Sequence, residues 1–374
     1  RKRKLNEEFV IPKLFSREIE RRFCKLNFDL IHVHHPIISG YIGCYLGRKY
    51  NIPVVFTHHT RYEQYLHYFK LYHKWIEKTD CELETSNEKK ERMKRAVENF
   101  VIYHNKVFTN HCDLILAPTP GIKEFLHKNG TIKEIQVLPT GLDSKDFAYC
   151  EPEVSKIRNK YKDKGQKLFC TVSRLEEEKN INFLLDGMKI YKDRNGGNFR
   201  LLIIGDGRQK NNLIRKAMEL GITEQIVFIG SIPNDSITSY YNACELFVFA
   251  STTETQGIVL LEAMAAGLPV IAVRASGVED VVVQGKSGYL TKEDIYEWVE
   301  KLEQVSDNKM LYNKMSVNAR EEALKYTSLN IARTALNYLN IIHRKETENR
   351  MKVNTYTNEL ISQRLGTNHE KKAI

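Results

Sequence analysis

The chain has 374 residues, 42% of them hydrophobic and 28% charged, with a formal net charge of +10. That length supports two domains with their own cores, and no apolar stretch of about eighteen residues is present to span a bilayer. The excess of cations asks for an anionic partner; nucleic acid is set aside because no nucleic-acid-binding module is recognisable, leaving an acidic membrane surface or a phosphorylated substrate.

The front half offers four strand candidates, 28–33, 53–57, 113–117 and 135–138. A doubly wound half ordinarily opens with a strand and a glycine-bearing turn, and none is visible before residue 28. The chain, which starts at Arg1, is therefore expected to be an N-terminally incomplete form. The second strand ends in His58-His59-Thr60. Histidines at the carboxyl end of a strand suit general acid–base work or phosphate contact, although such a pair is also commonly structural. His34 and His35, which end the previous strand, are weaker candidates for the same work and read more readily as structural.

Residues 62–111 interrupt the alternation with a long, helical, charge-rich insertion that includes SNEKKERMKRAVENFVIYHNKVF. Lys89, Lys90, Arg92, Lys94 and Arg95 crowd one stretch, and Tyr65, Tyr68, Phe69, Tyr72 and Trp75 precede it. This is either a face that docks on anionic lipid or a solvated helix whose aromatics pack in the core. Seven cysteines are scattered without a C-x-x-C pair, which favours reduced thiols in a cytosolic compartment over disulfides or a zinc site.

From about residue 150 the pattern is regular. Strands at 167–173, 199–204, 225–229, 246–250, 269–273 and 288–290 alternate with helices at 180–193, 208–220 and 235–243. Such alternation means a parallel sheet with helices on both faces, in which ligands bind beyond the carboxyl ends of the strands. Four turns lie at such ends. In the first, Arg174 and Lys179 either clamp a diphosphate or neutralise Glu176–Glu178. The second, Gly205-Asp206-Gly207, is a plain tight turn or a close approach to a ligand; Lys210 stands where a GxGxxG fingerprint needs its third glycine. That break disfavours a dinucleotide oxidoreductase. The third turn contains Gly230 and is a weak signal by itself.

The fourth turn belongs to LFVFASTTETQGIVLLEAMAAGLPVIAV, read as strand, loop, helix and strand. Gly257, Ile258 and Val259 open the helix, so their backbone N–H groups can meet phosphate oxygens. Glu262 sits among Leu260, Leu261, Ala263 and Met264, where an unpaired charge is costly, and so requires a hydrogen-bonding partner. Glu254 and Glu262 enclose seven residues.

With its flanking strands and Gly257 turn, this E-x7-E segment resembles the signature of retaining, nucleotide-sugar-dependent GT-B glycosyltransferases. THHTRYEQYLHY and LAPTPGIKEFL resemble segments of the bacterial diacylglycerol glucosyltransferases within that group. The resemblance implies an α/β fold of two doubly wound Rossmann-like domains facing a cleft, the N-terminal one lacking its first strands. Residues 1–150 would form the acceptor side, 151–328 the donor side, and 329–374 a helix returning to the first domain plus a polar tail.

It further implies that Arg174 and Lys179 bind the donor diphosphate and Glu254 the hydroxyls of the transferred sugar. Glu262 would hold the ribose and Gly230 would lie against the base. Gly205, Gln256, Gly257, Ile258 and Val259 would complete the nucleotide site, and His59 would face the donor. The expected reaction moves glucose from UDP-glucose to diacylglycerol, without cofactor or obligatory metal, by a protein held peripherally on the inner face of the cytoplasmic membrane. UDP-galactose, a glycosylated lipid acceptor, or a non-catalytic nucleotide-binding module that docks on membranes are the alternatives. Alanine at Glu254 or Lys179 is expected to abolish transfer with the fold intact.

Overall fold

The computed structural model describes residues 3–6, 9–11, 17–64 and 87–344. By proximity these fall into two compact units: Arg1–Ala117 with Leu126–Gln136 and Arg333–Ile374, and Pro118–Phe125 with Val137–Ala332.

In the first unit, strands β3 (Ile31–Val33), β4 (Val54–Thr57), β5 (Leu114–Ala117) and β6 (Glu134–Val137) lie in that spatial order. The β4 strand runs parallel to both β3 and β5. Val54, Val55, Phe56, Leu114, Ile115 and Leu116 are all buried. Successive residues of a strand face opposite ways, so burial of every one means that both faces of this sheet are covered. A separate antiparallel pair, β1 (Arg3–Asn6) and β2 (Phe9–Ile11), precedes it. Paired strand thus exists before residue 28, outside the four-stranded sheet. RKLN carries neither an apolar run nor an apolar alternation, so periodicity does not mark it. Of the insertion, residues 65–86 and with them Tyr65, Tyr68, Phe69, Tyr72 and Trp75 lie outside the described residues. Its described part contains the short 3-10 turn Tyr62–Gln64 and the helix Asn87–Thr109.

The second unit is a six-stranded parallel sheet built from β7 (Lys167–Val172), β8 (Phe199–Ile204), β9 (Ile226–Gly230), β10 (Leu246–Phe249), β11 (Val270–Val273) and β12 (Gly288–Thr291). Their spatial order is β9-β8-β7-β10-β11-β12. The chain starts in the middle, steps outward twice, returns beside its starting strand, and steps outward the other way. Between β7 and β10 the order reverses, and the crevice beyond the strand ends at such a reversal is where open α/β sheets take their ligands.

Alternation along the strands sorts the core into two layers. Leu168, Cys170, Leu202, Ile204, Phe247 and Ala272 face one hydrophobic cluster. Phe169, Leu201, Ile203, Leu246, Val248 and Ile271 face the other. Residues 137–150, assigned from sequence to the first half, belong here. Leu142 is buried in the first of these clusters, its amide donates to the Tyr326 carbonyl at 2.7 Å, and its own carbonyl accepts from Ser328 at 2.8 Å.

Candidate functional site

A cavity of about 510 Å³ opens at the carboxyl ends of the second unit's strands. Val172, Ser173 and Arg174 reach it from β7, Ile204, Gly205 and Asp206 from β8, and Ser231 and Ile232 from the end of β9. The strand ends are stitched together by backbone: the Ser173 amide donates to Ile204, and the Gly205 amide to Gly230 at 2.9 Å. Only glycine fits at 205. Its φ is +131°, and a Cβ there would stand 1.9 Å from the Ser173 carbonyl oxygen.

Ile258, Val259 and Glu262 bring the helix Ile258–Ala265 to the same cavity. Gly257 turns the chain into this helix with φ +66°, and Leu260, Leu261, Ala263, Met264 and Ala265 are buried. Packing of this apolar helix fixes its first turn against the cavity, the end that carries unpaired N–H groups and the positive pole of the helix dipole.

Glu262 has the partner its surroundings demand. The hydroxyl of fully buried Tyr241 donates to its Oε2 at 3.0 Å. Burial nevertheless dominates and pushes this carboxyl up to about 7, with Tyr241 opposing the shift. The residues 141–146 complete the wall through Gly141, Asp143, Lys145 and Asp146. Lys145 forms an exposed ion pair with Asp235 at 2.8 Å. Carboxylates able to accept from hydroxyls thus share one cavity with cations and a helix N-terminus suited to an anion.

Arg174, Gly205, Ile258, Val259 and Glu262 line this cavity as the sequence suggests; the other proposed donor-side residues do not. Lys179 is 8% exposed and is held beneath the signature loop by Glu254 Oε1 at 2.6 Å and Ser251 Oγ at 3.4 Å. Gln256 is buried, with both ends of its amide engaged by Thr140: its Oε1 accepts from the Thr140 N–H at 2.7 Å and its Nε2 donates to the Thr140 carbonyl at 3.1 Å. Gly230 supports the neighbouring strand end through its carbonyl, and Gly257 acts through the helix it starts. Arg174 pairs with Glu178 at 3.1 Å. Ser231, from the same turn as Gly230, also lines the cavity, and Asp143, Lys145, Asp146 and Asn234 are lining residues that sequence reasoning did not select. Asp143, Lys145 and Asp146 follow the LPTG run after β6, where Leu142 is buried in the core of this unit.

In the first unit the carboxyl ends of β3 and β4 bring a histidine cluster together. His34 Nδ1 and His59 Nε2 are hydrogen-bonded at 2.9 Å with their rings stacked. Desolvation and then the neighbouring His34 hold His59 below the usual histidine range. His32 Nε2 bonds Thr57 Oγ1 at 2.7 Å. His58 is fully buried against Phe56, and burial above all brings it down to about 4, so its ring is neutral. His35 packs edge-on to Tyr62. Among the described residues no three His, Cys, Asp or Glu side chains converge to hold a metal ion.

Residues 153–322 match the family Glycosyl transferases group 1, and residues 2–146 match Glycosyltransferase Family 4. The alpha-monoglucosyldiacylglycerol synthase of Acholeplasma laidlawii is 29% identical over 321 residues, 84% of this chain and 75% of the relative. The synthase of the same name from Streptococcus pneumoniae is 30% identical over 251 residues, 65% of this chain and about half (51%) of the relative. Among solved structures, Anabaena HepE in complex with UDP superposes with a TM-score of 0.71 at 18% identity, covering 87% of this chain and 81% of that one. Sucrose-phosphate synthase from Thermosynechococcus elongatus gives 0.69 at 18% identity, covering 87% and 76%. These likenesses, spread over both halves, agree with the two parallel-sheet units in one conclusion: the chain belongs to the glycosyltransferases and has the GT-B fold.

Proposed function

We propose that this glycosyltransferase moves glucose from UDP-glucose to the free hydroxyl of diacylglycerol at the membrane surface, with retention at the anomeric carbon. The observation that carries the donor half is Glu262, a carboxyl hydrogen-bonded to Tyr241 and set beside the first turn of its helix in the cavity. In this reading its carboxylate accepts from the ribose hydroxyls, while the N–H groups of Ile258 and Val259 receive the diphosphate. The helix dipole adds about 0.3–1 kcal/mol to that contact. Glu254 takes hydroxyls of the transferred sugar. Arg174 and Lys179 stabilise the negative charge that builds on the departing diphosphate, a contribution worth most where water is excluded. The cations do this work, and no metal or cofactor is given a role.

The acceptor half is supported by the printed names of the two bacterial relatives and by the THHTRYEQYLHY segment. Arg92, Lys94 and Arg95 are exposed on the helix Asn87–Thr109, as a surface held peripherally against anionic lipid of the inner leaflet requires. No helix among the described residues is long and apolar enough to cross a membrane.

The test supplies labelled UDP-glucose and diacylglycerol in mixed anionic micelles and counts label in the organic phase. Diacylglycerol-dependent label is the expected result. An empty organic phase with UDP-glucose still bound would discard the lipid acceptor and keep the donor assignment. Parallel reactions with UDP-galactose, or with glucosylated lipid as acceptor, decide between glucose transfer to diacylglycerol and these neighbouring chemistries.

A further inference from the structure

A second cavity, of about 220 Å³, lies within the first unit. Its walls are mostly apolar: Pro36, Ile37, Tyr62, Phe100, Val101 and His104. Phe100, Val101, His104 and Asn105 come from one face of the helix Asn87–Thr109, since positions three and four apart along a helix are neighbours on its surface. His104 Nε2 is engaged by the Tyr41 hydroxyl at 3.2 Å. Asn105, which also lines the cavity, is 6% exposed, and among the described residues its Nδ2 has no hydrogen-bond partner. A buried amide donor without an acceptor is a standing cost, so its presence in an apolar cavity points to a ligand that brings the acceptor.

We propose that this groove seats one acyl chain of a glycerolipid, with the ester carbonyl accepting from Asn105 Nδ2. An ester fits where a phosphate does not: the walls would strip water from a charged headgroup without supplying a cation, whereas a carbonyl needs a single donor and continues into hydrocarbon. The surroundings suit a chain arriving from a bilayer. Phe100 and Tyr103 are 67% and 62% exposed beside the groove. Lys94, two turns before Val101 on the same face, is exposed and would meet anionic headgroups. The proposal rests on the lipid-acceptor reading and adds to it the place where the acceptor's hydrocarbon is held.

The experiment uses the full chain and diacylglycerol carrying a photoactivatable diazirine in one acyl chain, in phosphatidylglycerol vesicles, with adducts mapped by peptide mass spectrometry. Label is expected on the peptides containing Ile37 and residues 100–105, displaced by excess unlabelled diacylglycerol. Val101→Trp fills the groove; excluding about two methylenes of chain should lower labelling about tenfold. Asn105→Leu removes the donor, and Phe100→Ser, at an exposed position, provides a variant whose folding is not at risk; both should lose label several-fold. Circular dichroism melts verify the fold of each. Undiminished label in all three variants, or label confined to residues 65–86, overturns the proposal. Glucose transfer with an unchanged diacylglycerol KM in the variants also overturns it while keeping the lipid acceptor. Groove labelling that the variants abolish, in a protein that transfers no glucose to lipid, sustains the groove and removes only the acceptor reading.

Discussion

Glu262 and Lys179 are both removed from bulk water: Tyr241 answers the first, Glu254 and Ser251 the second. For Glu262 the Tyr241 hydroxyl does not compensate fully, and the carboxyl stands at about 7 rather than the ordinary 4.5. A folded-state value above the unfolded one means the folded protein holds this proton more tightly. The resulting stabilisation is fully present below about pH 4.5 and is lost as pH rises through about 7, amounting to roughly 3 kcal/mol. Urea unfolding of Glu262→Gln between those limits should lack this slope, gaining on the parent as pH rises. Binding should run the opposite way. The ionised carboxylate is the better acceptor for ribose hydroxyls, so parent affinity for UDP-glucose, a diester without an ionisation in this range, should strengthen from pH 6 to pH 8. Calorimetry on Glu262→Gln should show a weaker and flatter profile.

The buried Lys179–Glu254 pair changes what substitution there means. The sequence suggests that alanine at either position removes transfer and spares the fold. The structure makes each the counter-charge of the other, and removing one partner of a buried pair costs about 3–5 kcal/mol. Lys179→Ala and Glu254→Ala should therefore both melt well below the parent, with the double substitution milder than the sum of the singles. Glu254→Gln, which keeps an acceptor for Lys179 Nζ, should retain most stability and still lose transfer. Near-parental melting of both alanine variants would refute the structural half of this expectation.

At the scale of elements, the cavity depends on how closely strand ends approach one another. The β7 and β8 ends meet at Ser173 and Gly205, with no room for a methyl group. Gly205→Ala should cost more than about 1 kcal/mol, because the new side chain is incompatible with both the backbone angle and the neighbouring carbonyl. UDP-glucose affinity should fall with stability, since the carbonyl that must move adjoins Arg174. Strands and helices of the second unit were legible from sequence because its apolar runs are spaced by amphipathic helices; helix Ile181–Asn195, for example, was expected at 180–193. The pair Arg3–Asn6 and Phe9–Ile11 was not, since RKLN carries no apolar pattern and FVI is a run of only three residues.

For the molecule as a whole, the net charge of +10 and the exposed cations of helix Asn87–Thr109 predict binding to anionic vesicles that weakens with salt. Raising ionic strength shortens the Debye length from about 10 Å at 0.1 M to about 3 Å at 1 M. Flotation with phosphatidylglycerol vesicles should fall over that range, and phosphatidylcholine vesicles should bind little throughout. Salt-independent binding would assign membrane attachment to apolar contact instead.

By itself the sequence determined that the chain has two α/β halves and that Arg174, Gly205 and Glu262 each follow a strand of the second. These follow from hydrophobic period and from turns contained within single strand–loop–helix units, where neighbours in sequence are neighbours in space; that the three residues share one site was implied only by the family resemblance. Only the tertiary structure decided which side chains those residues meet. Tyr241 reaches Glu262, Glu254 neutralises Lys179, Thr140 occupies both ends of Gln256, and His34 bonds His59. Each of these contacts joins separate elements of the fold. Burial makes them necessary, because a charge or amide removed from water must find its partner wherever packing places one.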